Sequence, residues 1–573
     1  MRETIENVFQ TDVLVIGAGA AGIRAAIEAA RAGANVLLVE KGKWPSGAST
    51  FNHYERGWSY QTSWNEKEVK AHFDEIVSAG LEMQDNCLVD ILTRDAPARF
   101  NDLLDFGVEF ASGSLGLITE AGCFGPGQRA VTTTNKDNIR SAFRQALEDN
   151  GITLVDCTGV VSLLVADSTC KGALAVNSEE RLVAIGSAAT ILATGGGSYC
   201  YQHNLNYPEQ TADGWILAFD AGATLSNCEF IQFTYGTMSH PKRIVTAWFF
   251  KPGSRFYDGN GKDLLSRHIP SWLSREELLM TRSTHGPFSS RDYGKWLDIA
   301  IFREITTGRP SEHGGVYADL SATIGHLPET EDLFASDVRR QLEWYRQEGI
   351  NLLQPIEIAH HAHAFNGGIL INEEAETNVR GLFAAGETIA GPHGADRLGG
   401  NMMTLTQVFG SIAGRNAARN AETSSSLCSL RDLAKDSYFS HVERLPGVAQ
   451  AATTYPEARA KLASLMWNEV GVERTDNGLQ RALRAIENLR EREVRRPTSS
   501  DEGGVLEATS LRSMLKTSEL IAESALRRRE SRGSHCRRDY PELDPNLGFP
   551  IRITNQDGEA DYRFGAQEDS RIQ

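Results

Sequence analysis

The clearest hydrophobic pattern runs from Asp12 to Lys41, DVLVIGAGAAGIRAAIEAARAGANVLLVEK. A β-branched apolar run is followed by a Gly-rich turn, an Ala-rich stretch of helical character, and a second apolar run that ends in Glu40. Period-2 and continuous apolar runs predict strands, and the Ala-rich stretch between them predicts a helix, so this is one βαβ unit. No apolar run reaches the roughly 18 residues that a membrane span needs. The Ser-rich stretch 424–429 and the polar PTSSDEGG at 497–504 read as a linker and a loop. No internal repeat is evident.

Within the unit, Gly17, Gly19 and Gly22 stand at G-x-G-x-x-G spacing. The first glycine makes a tight turn, the second lets backbone approach a pyrophosphate at the helix N-terminus, and the third allows close helix packing. Glu40 ends the next strand, where a carboxylate accepts hydrogen bonds from a ribose. A dinucleotide site is therefore expected, and the motif alone leaves FAD and NAD both open.

Length and charge narrow the rest. A chain of 573 residues with 41% hydrophobic content is too long for one core, so two to four domains are expected. A net charge of −17 argues against a nucleic-acid or anionic-membrane surface. The local basic run RRRE at Arg527 to Glu530 reads as a solvated helix face. The start, MRETIENVFQTD, has no signal-peptide pattern, and a cytoplasmic protein is expected. Eight cysteines occur without a CxxC pair, which disfavours a zinc ribbon, an iron–sulfur cluster or a disulfide framework. Electrons, if moved, are carried by an organic cofactor or a partner.

One stretch stands out chemically: Ala359 to Gly368, AHHAHAFNGG, holds three of the chain's fourteen histidines. Imidazole serves metals and acid/base work alike. A strand would put His361 and His363 on one face, but no further ligand is identifiable, and no metal is expected.

Three later segments carry a resemblance. Thr190 to Tyr201, TILATGGGSYCY, looks like the strand and Gly turn that return to the nucleotide in flavoproteins. Gly381 to Asn401, GLFAAGETIAGPHGADRLGGN, resembles the segment that closes over the isoalloxazine ring in the fumarate reductase, succinate dehydrogenase and L-aspartate oxidase flavoproteins. Leu526 to Pro541 and Met466 to Leu479 resemble that family's C-terminal helical domain. The resemblance implies an α/β fold: a two-piece Rossmann-like FAD-binding domain (1–240 and 351–422), an inserted α+β capping domain (241–350), a C-terminal helical domain (423–541) and a tail (542–573). It implies FAD, held by Gly17, Gly19, Ala21, Gly22, Glu40, Lys41, Ser49, Thr50, Thr194, Gly195, Gly196, Asp213, Gly386, Glu387, Arg397 and Asn401.

The same resemblance implies a catalytic set. His363 stands four residues before Gly367-Gly368-Ile369, the place of a family histidine that holds a substrate carboxylate beside the flavin. His360 and His361 are then packing or supporting residues. Arg397 matches the carboxylate-clamping arginine, whose planar fork suits a bidentate contact. Arg291, in SSRD, resembles the arginine that passes a proton to or from the substrate carbon. A relay carboxylate expected four residues before it is replaced by Pro287, with His285 the nearest titratable substitute.

Other departures concern the substrate. Thr234 and Gly236 replace a His and a Thr, and Ala247 stands where the family has a substrate-binding Glu, followed by Trp248, Phe249 and Phe250. Lost polar contacts and added aromatics penalise a second buried carboxylate. The expected substrate is a monocarboxylate, or an amino acid with an apolar or aromatic body, rather than succinate or fumarate. GASTFN at 47–52 resembles the L-aspartate oxidase segment, and Ser49 occupies the place of succinate dehydrogenase's flavin-linking histidine, so noncovalent FAD is expected; His53 is out of register for that bond. The leading expectation is an oxidoreductase acting on a carbon–carbon bond next to a carboxylate, with an electron-transfer protein or oxygen as partner. The alternatives are an amino acid oxidase forming an imine and a flavin-binding subunit without catalytic activity.

Overall fold

The computed structural model describes residues 5, 7–52, 57–113, 116–325, 333–423, 430–443, 445, 453–494 and 504–565. His53, the linker 424–429 and most of the loop 497–504 lie outside them. The βαβ unit forms as the pattern predicts. β1 (Asn7–Ile16) leads through Gly17, at φ +103°, into α1 (Ala20–Arg31), which returns to β2 (Val36–Val39). β1 pairs in parallel with β2, Val13 opposite Val36, and on its other side with Leu182–Leu192, Val13 opposite Ala189. Thr153–Val155, Gly159–Ala166, Thr169–Val176 and Leu382–Ala384 complete a seven-stranded sheet. Ala20 to Ala29 are all buried, because small side chains let α1 sit close to the sheet and to the helix Asn401–Thr423.

A second sheet of five strands builds the floor of the inserted region. Ile231–Thr237 and Ile356–Phe365 pair antiparallel at its centre, flanked by Ile244–Val245, Val316–Asp319 and Arg255–Tyr257. This sheet crosses both expected boundaries, 240 and 350, since the strands on either side of the insertion pair with strands inside it. The segment 542–573, expected as a tail, contains the hairpin Ile551–Gln556 and Glu559–Phe564, which pairs through Leu225–Ser226 with Gly368–Ile369.

The RRRE run is also corrected. Arg528 and Glu530 are fully buried, with Arg528 Nε donating to Glu229 at 2.5 Å and Nη1 to Glu530 at 3.0 Å. Burial of so many charges is tolerable only with such pairing. No helix among the described residues is long and apolar enough to cross a membrane.

Candidate active site

Residues of the seven-stranded-sheet domain and of the inserted region line one cavity of about 400 Å³. It is lined by Gly17, Gly19, Ala21, Glu40, Lys41, Thr194, Gly195 and Asp213 around the Gly turn and the strands beside it, by Ser49, Thr50, Gly386 and Glu387, and by Thr234, Trp248, His363 and Arg397. Three expected cofactor residues support the wall from behind. Gly22 has no room for a side chain, because a Cβ there would fall 1.8 Å from the Gly17 carbonyl oxygen. The Gly196 amide donates to Gln210 Oε1 at 3.0 Å, and Asn401 Oδ1 pairs with His72 Nε2 at 2.9 Å.

The nucleotide end is already organised. Glu40 accepts from the backbone N–H of Ala18 at 2.7 Å and of Gly42 at 3.1 Å. Burial nevertheless pushes its carboxyl above the usual range. Burial also acts to raise Asp213, but Lys41 Nζ at 2.7 Å more than offsets it and holds Asp213 below its ordinary value. Ser49 Oγ, Asn52 Oδ1 and Thr194 Oγ1 are buried along the cavity without a hydrogen-bond partner. Buried polar groups are otherwise almost always paired. Together with the start of α1, whose Gly19, Ala20 and Ala21 line the cavity at the positive end of the helix dipole, this donor and acceptor set fits a bound dinucleotide.

The other end is set by the strand Ile356–Phe365. His360 Nε2 meets Asp298 Oδ1 at 2.8 Å, and Arg282 donates to the same carboxylate at 2.7 and 3.1 Å, all three groups fully buried. Burial acts against the Asp298 charge, yet Arg282 and His360 hold it well below the usual carboxylate range. This anchors the strand to the helix Lys295–Thr306. His361 packs on Gly236, where a Cβ would stand 2.7 Å from its Nδ1. His363, between these anchors and the Phe365 amide that donates to Glu387 at 3.0 Å, lines the cavity. Arg397 is 6% exposed; its Nε donates to Gln232 Oε1 at 3.1 Å and its Nη1 to Leu398 O at 3.1 Å.

The structure does not bring Arg291, His285 or Ala247 into the cavity lining. Arg291 Nη2 donates to Ser78 O at 3.1 Å, and its guanidinium lies over Phe124 at 5.4 Å. His285 stacks on the same ring at 4.9 Å, with Nδ1 2.7 Å from Pro287 O and Nε2 3.3 Å from Asp292. Ala247, Phe249 and Phe250 belong to the core of the inserted region, whereas Trp248 and Thr246 line the cavity. Pro287, which stands in place of the expected relay carboxylate, lines the cavity, and residues that sequence reasoning did not single out complete this wall: Cys123, Gly286, Gln341, Trp344 and Tyr345. The apolar pattern of the helix Leu333–Gln347 signals a packed face, not a cavity wall. Among the described residues Glu312, His313 and Glu357 are close enough to share a cation, and all stand outside this cavity.

A Gly-turn βαβ unit with a buried carboxylate at the end of its second strand, and a cavity that also reaches a buried arginine, fit a dinucleotide-dependent oxidoreductase, and the family match makes it FAD-dependent. The FAD binding domain family matches residues 12–403, and the fumarate reductase flavoprotein C-terminal family matches residues 459–561. The chain belongs to the fumarate reductase, succinate dehydrogenase and L-aspartate oxidase flavoprotein family. It is 33% identical over 567 residues to a subunit of the CoM/CoB fumarate reductase of Methanothermobacter marburgensis, covering 96% of this chain and 98% of that one. It is 29% identical to L-aspartate oxidase of Synechocystis, covering 93% and 95%. Among solved structures it resembles a quinol-fumarate reductase with menaquinol molecules, at 25% identity and TM-score 0.81, covering 98% of each chain.

Proposed function

We propose that this enzyme reduces, or in reverse dehydrogenates, a carbon–carbon bond next to a carboxylate in a substrate with one carboxylate and an apolar or aromatic body. One observation carries the reading. Arg397 is the single arginine lining the cavity among the described residues, and Trp248, Trp344 and Tyr345 line the same cavity. A second carboxylate buried against these rings would lack a guanidinium partner, at a cost of several kcal/mol.

FAD, when bound, supplies hydride transfer. The chain's own residues position the substrate. Arg397 offers a bidentate fork to the carboxylate, His363 a ring nitrogen, and Thr234 and Thr246 hydroxyls. Fixing the acid in this way converts a two-body encounter into an aligned one. Noncovalent FAD is part of the proposal: Ser49 lines the cavity, and His363 is its only described histidine. Acid precipitation should release all flavin to the supernatant; fluorescence retained on the protein would refute it. The relative from Methanothermobacter marburgensis is one component of a larger reductase by its name, which supports a partner protein as electron donor.

The test is anaerobic flavin absorbance. Unsaturated monocarboxylates added to dithionite-reduced protein should restore the oxidised spectrum faster than fumarate does. Fastest turnover with fumarate or succinate would sink the substrate assignment. Oxidation of an amino acid with oxygen as acceptor is the second reading, favoured by Glu120, a carboxylate in the cavity wall that could meet an ammonium. Arg340 stands 3.7 Å from it. Hydrogen peroxide release with an amino acid would select that reading.

A further inference from the structure

Asp396 directly precedes the clamp Arg397 and is fully buried, yet only one of its oxygens is engaged. Ser289 Oγ donates to Oδ2 at 2.6 Å, and Oδ1 is buried without a hydrogen-bond partner among the described residues. A half-satisfied buried carboxylate costs stability, and an asparagine of the same shape would avoid that charge. Burial raises the carboxyl to about 6, against the Ser289 hydroxyl and the Arg291 and His285 charges, with Asp292 adding to the rise. Both protonation states are therefore populated near neutral pH, as in a group that exchanges protons.

Those charges come from one stretch of the inserted region, His285 to Asp292. Ser289 Oγ also accepts the Arg291 backbone N–H at 3.3 Å, which ties that stretch to Asp396. His285 Nε2 stands 3.3 Å from Asp292, whose side chain is 30% exposed and forms the edge of the cluster that meets water. Along the chain, His393 and Arg397 flank Asp396. The Arg291 guanidinium lies one layer behind the cavity wall: it covers Phe124, whose neighbour Cys123 lines the cavity, as do Gly286 and Pro287. Its acceptor, Ser78 O, is two residues from Gly80, whose carbonyl accepts the Ala395 N–H at 2.9 Å. The Arg291 anchor and Asp396 therefore sit on neighbouring segments.

We infer that Asp396 is the relay carboxylate behind Arg291: the guanidinium exchanges Ser78 O for Asp396 Oδ1, which turns it to the cavity and returns the proton it gives to substrate. This rests on the carbon–carbon reading above, with Arg291 as the proton donor that the family resemblance implies. Hydride from reduced flavin reaches one alkene carbon, and an Arg291 N–H bond breaks as its proton forms the C–H bond on the neighbouring carbon. The neutral guanidine takes the Asp396 carboxyl proton, and the carboxylate so formed takes one from water by way of His285 and Asp292. In dehydrogenation each proton moves in the opposite sense. Asp396 touches no reacting atom and acts through Arg291, as a positioning residue.

The test is stopped-flow reoxidation of the dithionite-reduced, FAD-loaded protein by cinnamate at a series of pH values. The wild-type rate should fall as pH rises through about 6, because the acid form of Asp396 is the one that recharges Arg291. Asp396→Asn should abolish that inflection and slow the reaction about 10²-fold, with flavin content and cinnamate affinity retained. Ser289→Ala removes a hydroxyl that lowers Asp396, so it should move the inflection to higher pH. Asp396→Asn combined with Arg291→Gln should be no slower than Arg291→Gln alone, since both lie on one proton path. Denaturant melts of the flavin-free variants supply a readout apart from activity, and Asp396→Asn should melt as a folded protein. An inflection that survives Asp396→Asn, or losses that multiply in the double variant, overturns the relay. If Asp396→Asn does not fold, an inflection unmoved by Ser289→Ala overturns it. A wild type that no unsaturated monocarboxylate reoxidises overturns the carbon–carbon reading and the relay with it, a result distinct from an active enzyme indifferent to Asp396.

Discussion

Gln232 holds Arg397 at both ends: its Oε1 accepts from Arg397 Nε at 3.1 Å, and its Nε2 donates to the Arg397 carbonyl oxygen at 3.2 Å. One buried amide from the strand Ile231–Thr237 thereby fixes both the backbone and the guanidinium plane of the proposed carboxylate clamp. Hydrogen bonds to charged groups contribute about 1.5–3 kcal/mol. Gln232→Leu should therefore raise KM for the carboxylate substrate roughly 10-fold to 100-fold, with flavin content unchanged. Steady-state kinetics of the purified variant check this, and an unaltered KM would show that the guanidinium is positioned by other contacts.

Trp248 is the member of the Trp-Phe-Phe run that lines the cavity, while Phe249 and Phe250 pack in the core. Burying an aromatic body against it is expected to contribute about 1.5–3 kcal/mol. Trp248→Ala should cut kcat/KM for an arylacrylate roughly tenfold or more and leave a small acid such as acrylate nearly unaffected. Equal losses on both would show that Trp248 shapes the fold and not the specificity.

Gly22 lies against the Gly17 carbonyl with no space for a methyl group. Gly22→Ala must push α1 off the turn that faces the cavity. The expected product is folded but flavin-poor protein, read from the ratio of 450 nm to 280 nm absorbance and from circular dichroism.

Asp396 is fully buried, with Ser289 Oγ donating to it at 2.6 Å and its other oxygen unpaired. Burial raises its carboxyl to about 6, opposed by Ser289 and by the Arg291 and His285 charges, with Asp292 adding to the rise. A folded-state value above the unfolded one gives stability that is complete below the unfolded value, near 3.8, and lost as pH rises through about 6. Asp396→Asn should flatten the stability profile between those limits and stabilise the protein at pH 7 by about 1–3 kcal/mol. Denaturant melts at pH 4.5 and 7 check the sign; a larger gain at pH 4.5 would contradict it.

What the sequence made legible follows from how locally each feature is determined. The Gly17, Gly19 and Gly22 turn is readable because backbone approach dictates residue type there, and Trp248 stands out because an aromatic follows a lost polar neighbour. The five-stranded sheet is not readable as one unit, since Ile231–Thr237 and Ile356–Phe365 pair across a separation in sequence that spans the whole insertion. Arg528 looks like surface charge because its partner Glu229 lies far along the chain. The orientation of Arg291 and His285 depends on Phe124, whose left-handed backbone has no sequence signature of its own. Cys123 is just one of eight scattered cysteines until the loop brings it to the cavity wall.

The hairpin Ile551–Phe564 closes the sheet that also contains Leu225–Ser226 and Gly368–Ile369, on either side of the inserted region. During synthesis those two segments emerge long before their partner, and domains form as the chain leaves the ribosome. The pairing of Leu225–Ser226 is therefore completed only once Ile551–Gln556 has been made. A chain cut just ahead of Ile551 would leave the Leu225–Ser226 strand without the partner that joins it to the hairpin.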